Sequence, residues 1–300
     1  MKSSALAVDI GGTKLAAGLV TGEGEVVASA SAPSRADDGE GLFSVLLALI
    51  DSVRGEGDIV VCGVGCGGPM TAGGETVSPL NIPAWRDFPL RSRLAEATGL
   101  ATFVDNDAKA LALGEGWKGA AARESNFIAM VVSTGVGGGI VLDGRLLDGA
   151  SGNAGHIGHV CVEPEGRICV CGARGCLEAE ASGTAIAAIT GRPAAEAGPE
   201  VVDRTGRLVG RAVASVANLL DLGLAVVAGS VALGYGEAFF AAAQAELDAR
   251  ARLSFSADAH IVPAGLGAAG PLVGAAAVGW QGLARRSSRL PKNIDIARAT

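Results

Sequence analysis

The chain has 300 residues, 46 of them glycine and 11 proline, with 49% hydrophobic, 18% charged and only 4% aromatic residues. No Gly-X-Y period runs through it, so collagen is excluded, and the apolar content with so little charge excludes a disordered chain; the core must come from small aliphatic side chains. A net charge of −7 argues against nucleic acid as the main partner, since phosphate backbones require clustered Lys and Arg.

The first 30 residues read as a strand–turn–strand meander. Leu6–Ile10 is apolar before Gly11-Gly12, Leu15–Val20 is a second run, and Gly22–Glu25 turns into Val26-Val27-Ala28. Asp9 interrupts the first run, and residues 1–10 lack the apolar stretch of a signal peptide. A helix is predicted over about 41–53, with Leu42, Val45, Leu46, Leu49 and Ile50 on one face. A buried strand follows over 59–64, a helix over 90–98 and a strand over 101–104. This β-β-β-α-β-α-β order is an α/β layer arrangement.

The same logic restarts near Phe127, with a strand to Val132, a glycine turn over 135–139 and a strand over 140–142. Helices are predicted around 183–189 and 208–220, a strand over 224–228, a helix over 236–250 and a strand over 259–262. The uncharged stretch 261–284 is interrupted by Pro263, Gly265, Gly267, Gly270, Pro271, Gly274 and Gly279, so it reads as strand, glycine-rich turn and buried helix rather than a membrane span. The only basic run, Arg285, Arg286, Arg289 and Lys292, reads as a solvated helix end. A boundary near 114–119 divides the chain into a smaller α/β domain, 1–116, joined by a C-terminal helix at about 285–300, and a larger α/β domain, 117–284. A soluble, cytoplasmic protein is expected.

Two glycine loops sit between strands. In Asp9-Ile10-Gly11-Gly12-Thr13-Lys14, adjacent glycines bring bare N–H groups to an anion, the Thr hydroxyl adds a donor, and Asp9 can orient a hydrated Mg²⁺; a plain hairpin is the alternative. Ser133-Thr134-Gly135-Val136-Gly137-Gly138-Gly139 stands in the matching place of the second half, and two phosphate loops facing each other across a cleft would grip a nucleotide. Gly63–Gly68 has G-x-G-x-x-G spacing but is followed by Pro69 and a turn rather than a helix, so it is a decoy for dinucleotide binding and reads as a tight turn. No G-x-x-x-x-G-K-[ST] motif is present.

Six cysteines are too few for a disulfide scaffold. Cys62 and Cys66 read as small core residues. His159, Cys169, Cys171 and Cys176 form H-x₉-C-x-C-x₄-C, a donor set that completes a closed tetrahedral zinc shell, structural because it leaves no open position. Cys161 breaks the spacing and is left out. Asn106 can cap a helix with Asp107 in its first turn. Asp107 alone reads either as helix-start chemistry or as a hydroxyl-accepting base at a strand end.

The Asp9–Lys14 loop, Asn106-Asp107, the 133–139 loop, Gly155-His156-Ile157-Gly158-His159 and Cys169–Glu178 together resemble the ROK family (repressors, open reading frames and kinases), from residue 6 to about 280. The resemblance implies an actin-like ATPase fold, two ribonuclease-H-like domains flanking a nucleotide and sugar cleft. It implies ATP-dependent phosphorylation of a hexose or amino-hexose, commonly at the 6-hydroxyl, with Asp107 as catalytic base. Sugar ligands would be Gly68, Asn81, Asn106, Asp107, His156, His159 and Glu178. Asp9, Gly11, Gly12, Thr13, Lys14, Ser133, Thr134, Gly135, Gly137 and Gly138 would hold ATP. ATP, Mg²⁺ and structural Zn²⁺ are the implied cofactors, and a homodimer or homotetramer the implied assembly, with no nucleic-acid or membrane partner.

Three positions depart from the family pattern. His156 stands in place of the usual Glu of a sugar-binding motif, which reverses hydrogen-bond polarity and points to altered sugar specificity. Ser133 replaces a Gly. Gly229-Ser230-Val231 replaces a glycine run near the adenosine, where Val231 is expected to crowd the base. Glucose, N-acetylglucosamine, N-acetylmannosamine and kanosamine all remain candidates. The alternative reading is a non-catalytic sugar-sensing regulator, although the Asp9 motif starts too near residue 1 to leave room for a preceding helix-turn-helix.

Overall fold

The computed structural model describes residues 3–55 and 57–289. They fall into two compact units: Met1–Asp105 with the part of the chain from Ala275 onward, and Asn106–Gly274. The part of the expected C-terminal helix beyond residue 289, Lys292 included, lies outside the described residues.

The first unit runs β1 (Ser4–Ile10), β2 (Lys14–Thr21), β3 (Val26–Pro33), α1 (Gly39–Val53), β4 (Ile59–Cys66), α2 (Leu90–Thr98) and β5 (Thr102–Asn106), the predicted order. Its sheet is ordered β3-β2-β1-β4-β5, antiparallel across β1–β2–β3 and parallel between β1 and β4. The inner strands are buried on both faces, whereas outer β3 alternates half-buried and exposed residues, the period of a strand with one covered face. Asp38 caps α1 by accepting the Gly41 N–H at 2.7 Å, and Leu42, Phe43, Leu46, Leu49, Ile50 and Val53 turn inward. The scarce aromatics gather here: Trp85 stacks on Phe88 at 4.5 Å, and the Arg93 guanidinium lies 4.2 Å from the Phe43 ring.

The second unit runs α3 (Asp107–Lys118), β6 (Phe127–Val132), β7 (Val136–Leu142), β8 (Arg145–Leu146), α4 (Leu177–Ala181), α5 (Gly183–Thr190), α6 (Pro199–Leu220), β9 (Leu224–Ala228), α7 (Ser230–Arg250), β10 (His260–Pro263) and the start of α8 (Gly270–Arg289). Its sheet, β8-β7-β6-β9-β10, repeats the order of the first: an antiparallel edge, then strands parallel to β6. Each sheet therefore begins on the same strand–turn–strand device.

Several boundaries differ from the sequence reading. The predicted turn at 135–139 is confined to Ser133–Gly135, and Gly137–Gly139 belong to β7. They are glycines because α3 lies on this strand: a Cβ on Gly139 would stand 2.8 Å from the Lys109 Cα, and one on Gly137 3.1 Å from the Ala108 Cβ. That packing places α3 with the second unit, one helix before the glycine-rich 114–119 stretch. Gly63 and Gly65 are likewise within β4 rather than in a turn. A Cβ on Gly63 would meet the Ala275 carbonyl at 2.0 Å and Gly279, so glycine is what lets α8 rest on this strand. Helix α6 starts nine residues earlier than predicted, and α7 starts at Ser230, with Gly236 a left-handed irregularity at φ 62° inside it.

Helices α6 and α7 touch backbone to backbone. A Cβ on Gly206 would stand 2.5 Å from the Phe239 carbonyl oxygen, and one on Gly210 2.1 Å from that of Ala243. Small residues at i and i+4 thus replace bulk as the means of close packing. Glu115, near the end of α3, is fully buried, and its carboxylate accepts the N–H groups of Ala120 (2.7 Å), Gly265 (3.0 Å) and Leu266 (3.1 Å). Among the described residues no helix is long and apolar enough to cross a membrane.

Candidate active site

In the first unit, the predicted residues gather at the carboxyl ends of parallel β1 and β4, where α/β sheets bind ligands. The β1–β2 turn is closed by Gly11 N–H to the Lys14 carbonyl at 3.0 Å. Ser34, which sequence reading missed, clamps the same turn: its hydroxyl donates to Gly11 O at 2.6 Å, and its N–H to Thr13 O at 3.1 Å. The β2–β3 register, which pairs Lys14 with Pro33, brings it there. Gly12 lies against Asn81, where a Cβ would come within 2.5 Å of the Asn81 Cβ. Gly68 accepts the Leu80 N–H at 3.2 Å, so the 67–69 turn, with a cis Gly68–Pro69 bond, joins the same group. Gly12, Thr13 and Lys14 are exposed.

Where the second unit begins, β5 of the first leads directly into α3. Asn106 is the N-cap in extended conformation, and its Oδ1 accepts the Ala108 N–H at 3.0 Å; Asp107 Oδ1 shares that N–H at 2.9 Å. Asp107 keeps solvent contact but is hemmed in by protein, and this desolvation raises its carboxyl above the ordinary value against the pull of the Ala108 and Asp107 N–H groups and of His156. His156 is held below the usual imidazole value, first by desolvation and then by His159, while Glu178 and Asp107 oppose the shift. Asp107, His156, His159 and Glu178 are therefore one electrostatic group. The rings of His156 and His159 stack with centroids 6.0 Å apart.

Glu178 sits in the first turn of α4, whose N-cap is Cys176. Its Oε2 accepts the Val136 N–H at 2.9 Å. Gly135 is glycine here for space, since a Cβ would stand 2.8 Å from that oxygen.

The turn before β7 is braced on three sides. Ser133 N–H reaches Gly135 O at 2.9 Å, Gly183 N–H reaches Ser133 O at 2.7 Å, and the Thr184 hydroxyl reaches Thr134 O at 2.9 Å. The hydroxyls of Ser133 and Ser230, two of the departures noted in the sequence, lie 2.9 Å apart and bond to each other. Val231 points into the core, 5% exposed, where a Cβ on Gly183 would touch it at 3.3 Å. The interior takes up the bulk that was expected to crowd a base.

His159, Cys169, Cys171 and Cys176 bring one ligand atom each to within 4.8 Å of all the others. The Cys171 and Cys176 sulfurs are 3.7 Å apart, as are Cys169 Sγ and His159 Nδ1. Tetrahedral zinc with about 2.3 Å Zn–S and 2.0–2.1 Å Zn–N bonds sets ligand edges of roughly 3.6–3.8 Å, so the donor set fits a closed zinc shell. Gly172 and Gly175, at φ 90° and 72°, turn the loop that carries the cysteines. Glu180, buried, ties the loop down by accepting the Arg167 N–H at 2.5 Å and bonding Arg204. Cys161 is exposed and outside the cluster, and Cys62 and Cys66 are buried core thiols.

The profile of the ROK family matches residues 5–281. A glucokinase of Halalkalibacterium halodurans is 42% identical over 190 residues, 61% of this chain and 57% of that protein. The chain thus spans less than two thirds of that relative's length. An N-acetylmannosamine kinase of Escherichia fergusonii is 36% identical over 250 residues, covering 77% and 84% of the two chains. Among solved structures, a ROK family glucokinase from Streptomyces griseus in complex with glucose and AMPPNP superposes with a TM-score of 0.81 at 29% identity, over 93% of this chain and 99% of that one.

Proposed function

The chain belongs to the ROK family and has its actin-like ATPase fold, and on that premise we propose that it is a cytoplasmic, ATP-dependent kinase of a hexose or amino-hexose, transferring phosphate to the 6-hydroxyl. The observation that carries this reading is Asp107: a carboxylate in the first turn of α3, with raised proton affinity, grouped with His156, His159 and Glu178. The glucokinase and N-acetylmannosamine kinase relatives support the reaction class.

In this reading Asn106, Asp107, His156, His159 and Glu178, with Gly68 and Asn81 of the first unit, hold the sugar. Asp107 orients the 6-hydroxyl. As that oxygen bonds to the γ-phosphorus and the bond to the departing ADP oxygen breaks, Asp107 takes the hydroxyl proton. A carboxyl raised above its ordinary value is a better base near neutral pH. Phosphoryl transfer asks mainly for positioning and charge neutralisation. The N–H groups of the Gly11-Gly12 turn with Thr13 and Lys14, and the braced Ser133–Gly135 turn, would supply these to the phosphates. Gly137 and Gly138 share the packing of α3 and Gly155 and would serve by keeping β7 close. Asp9 would orient the Mg²⁺ that accompanies ATP, which neutralises phosphate charge.

His159, Cys169, Cys171 and Cys176 would hold a structural zinc that fixes the loop ahead of Glu178. A homodimer or homotetramer is the proposed assembly. The test is ADP release over a panel of glucose, N-acetylglucosamine, N-acetylmannosamine and kanosamine with wild type and Asp107→Ala. Sugar-dependent ADP release lost in the variant is expected. His156, which replaces an acceptor by an imidazole, favours a second reading as a sugar sensor, and thermal stabilisation by a sugar without any ADP would select it.

A further inference from the structure

Lys109 follows Asp107 by two residues in α3, yet its side chain is only 4% exposed. Its Nζ donates to Asp148 Oδ1 at 2.9 Å and to the Gly152 carbonyl at 3.2 Å. A buried ammonium is retained only where partners offset its lost hydration. Here both come from a single loop, 148–155.

That loop closes on itself through Ala154 N–H to Asp148 O at 3.0 Å. It turns on Gly149, Gly152 and Gly155, all left-handed at φ 73°, 85° and 106°. Gly155 presses on β7, where a Cβ would stand 2.3 Å from the Gly138 oxygen. Three glycines in seven residues give such a segment large conformational freedom, so its position depends on its anchors. Two of its anchors are the Gly138 contact at its end and the Lys109 ammonium, which holds Asp148 and Gly152. The next residue is His156.

We propose that Lys109 is a positioning residue for the sugar: by pinning the 148–155 loop to the helix that carries Asp107, it sets where His156 stands relative to the base. The inference rests on the reading of Asp107 and His156 given above. It extends the site to Lys109, Asp148 and Gly152, which act through His156. It also ties sugar selectivity to this tether, since His156 stands where the sequence reading expects a sugar-binding Glu.

Lys109→Met keeps the stem and removes the charge. Asp148→Asn removes the partner charge at a half-exposed position, where folding is retained. Sugar and ATP KM, sugar Kd by calorimetry and hydrogen exchange by mass spectrometry are measured on each full-length variant. A hydrogen bond to a charged group is worth enough to give about a tenfold effect, so Lys109→Met should raise sugar KM and Kd about tenfold. ATP KM should stay within about twofold, and faster exchange should be confined to 148–156. Asp148→Asn should shift sugar KM in the same direction by less, and Lys109→Arg should restore part of the loss. Unchanged sugar affinity, or sugar and ATP KM rising together, overturns the proposal. If Lys109→Met does not fold, Asp148→Asn decides by the same criteria. If wild type phosphorylates no sugar, the reading of the activity fails by itself, and Kd and exchange still decide the tether; if no sugar binds, both fall.

Discussion

The Val136 N–H donates to the Glu178 carboxylate across 2.9 Å, joining the first residue of β7 to the first turn of α4. Because Cys176 is both the cap of that helix and a member of the His/Cys cluster, Glu178 is held between a strand and the loop that carries that cluster. Glu178→Gln keeps an oxygen able to accept from Val136 but loses the charge. Sugar KM should rise about tenfold, as for loss of a charge-assisted hydrogen bond, with little change in Tm. Steady-state kinetics and a melting curve check this.

The cluster predicts metal. Freshly purified protein should carry one zinc per chain by elemental analysis. Cys171→Ser should lose most of it and lower Tm by several degrees, since a structural zinc shell contributes folding free energy directly. A chelator should weaken sugar binding at temperatures well below global melting, because the 159–178 loop loosens before the sheet does. Absence of zinc in the wild type would count against the closed shell.

Asp107→Asn should lower kcat by about 10²–10⁴-fold, the usual weight of a general base, while sugar binding by calorimetry persists.

The same carboxyl sets a pH dependence. Desolvation by the surrounding protein raises its native pKa above the unfolded value, although the side chain keeps solvent contact. Below the ordinary carboxylate value both states hold the proton and nothing is lost. As pH rises from there to the native value, the unfolded chain releases its proton first, and stability falls. Asp107→Asn removes this term, so the variant should melt higher than wild type at neutral pH and equally near pH 3. The acid limb of kcat/KM should lie above an ordinary aspartate's pKa. Coincident melting curves at neutral pH would contradict the shift.

Helix α6 offers a test of packing. Gly210→Ala gains about 1 kcal/mol of helix propensity but places a methyl 2.1 Å from the Ala243 oxygen, a backbone clash that costs about 1–3 kcal/mol. Net destabilisation is expected. At Gly234 in α7 nothing lies within 4 Å of an added Cβ, so Gly234→Ala should be neutral or stabilising by up to about 1 kcal/mol. Chemical denaturation separates the two.

What was legible in the sequence was local. The paired strand–turn–strand units, the Asn106 cap and the His/Cys spacing are set within short stretches of chain; the cap forms at Asn106, the four donors gather, and the second turn lies at Ser133–Gly135 rather than 135–139. The glycines of β4 and β7 misled because glycine carries no side-chain period: a turn and a strand pressed by a helix look alike until the neighbour is known. Helix α4, at five residues, is too short to show a period. The bonds that organise the candidate site, Glu178 with Val136 and Lys109 with Asp148, span 42 and 39 residues, and only the folded chain joins them. Ser34 and Thr184, which brace the two glycine turns, have no signature beyond being small and hydroxylic.

Helix α3 begins at Asp107, and near its other end the Glu115 carboxylate grips the backbone at Gly265 and Leu266, some 150 residues onward. With three N–H groups on one buried carboxylate, the helix acts as a splint. The Asp107 end cannot drift while the 265–266 segment stays put; the two ends travel as one body or break a charge-assisted network to part. Whatever stiffens that distant glycine-rich segment is therefore felt, through about two turns of helix, as a steadier carboxylate at Asp107.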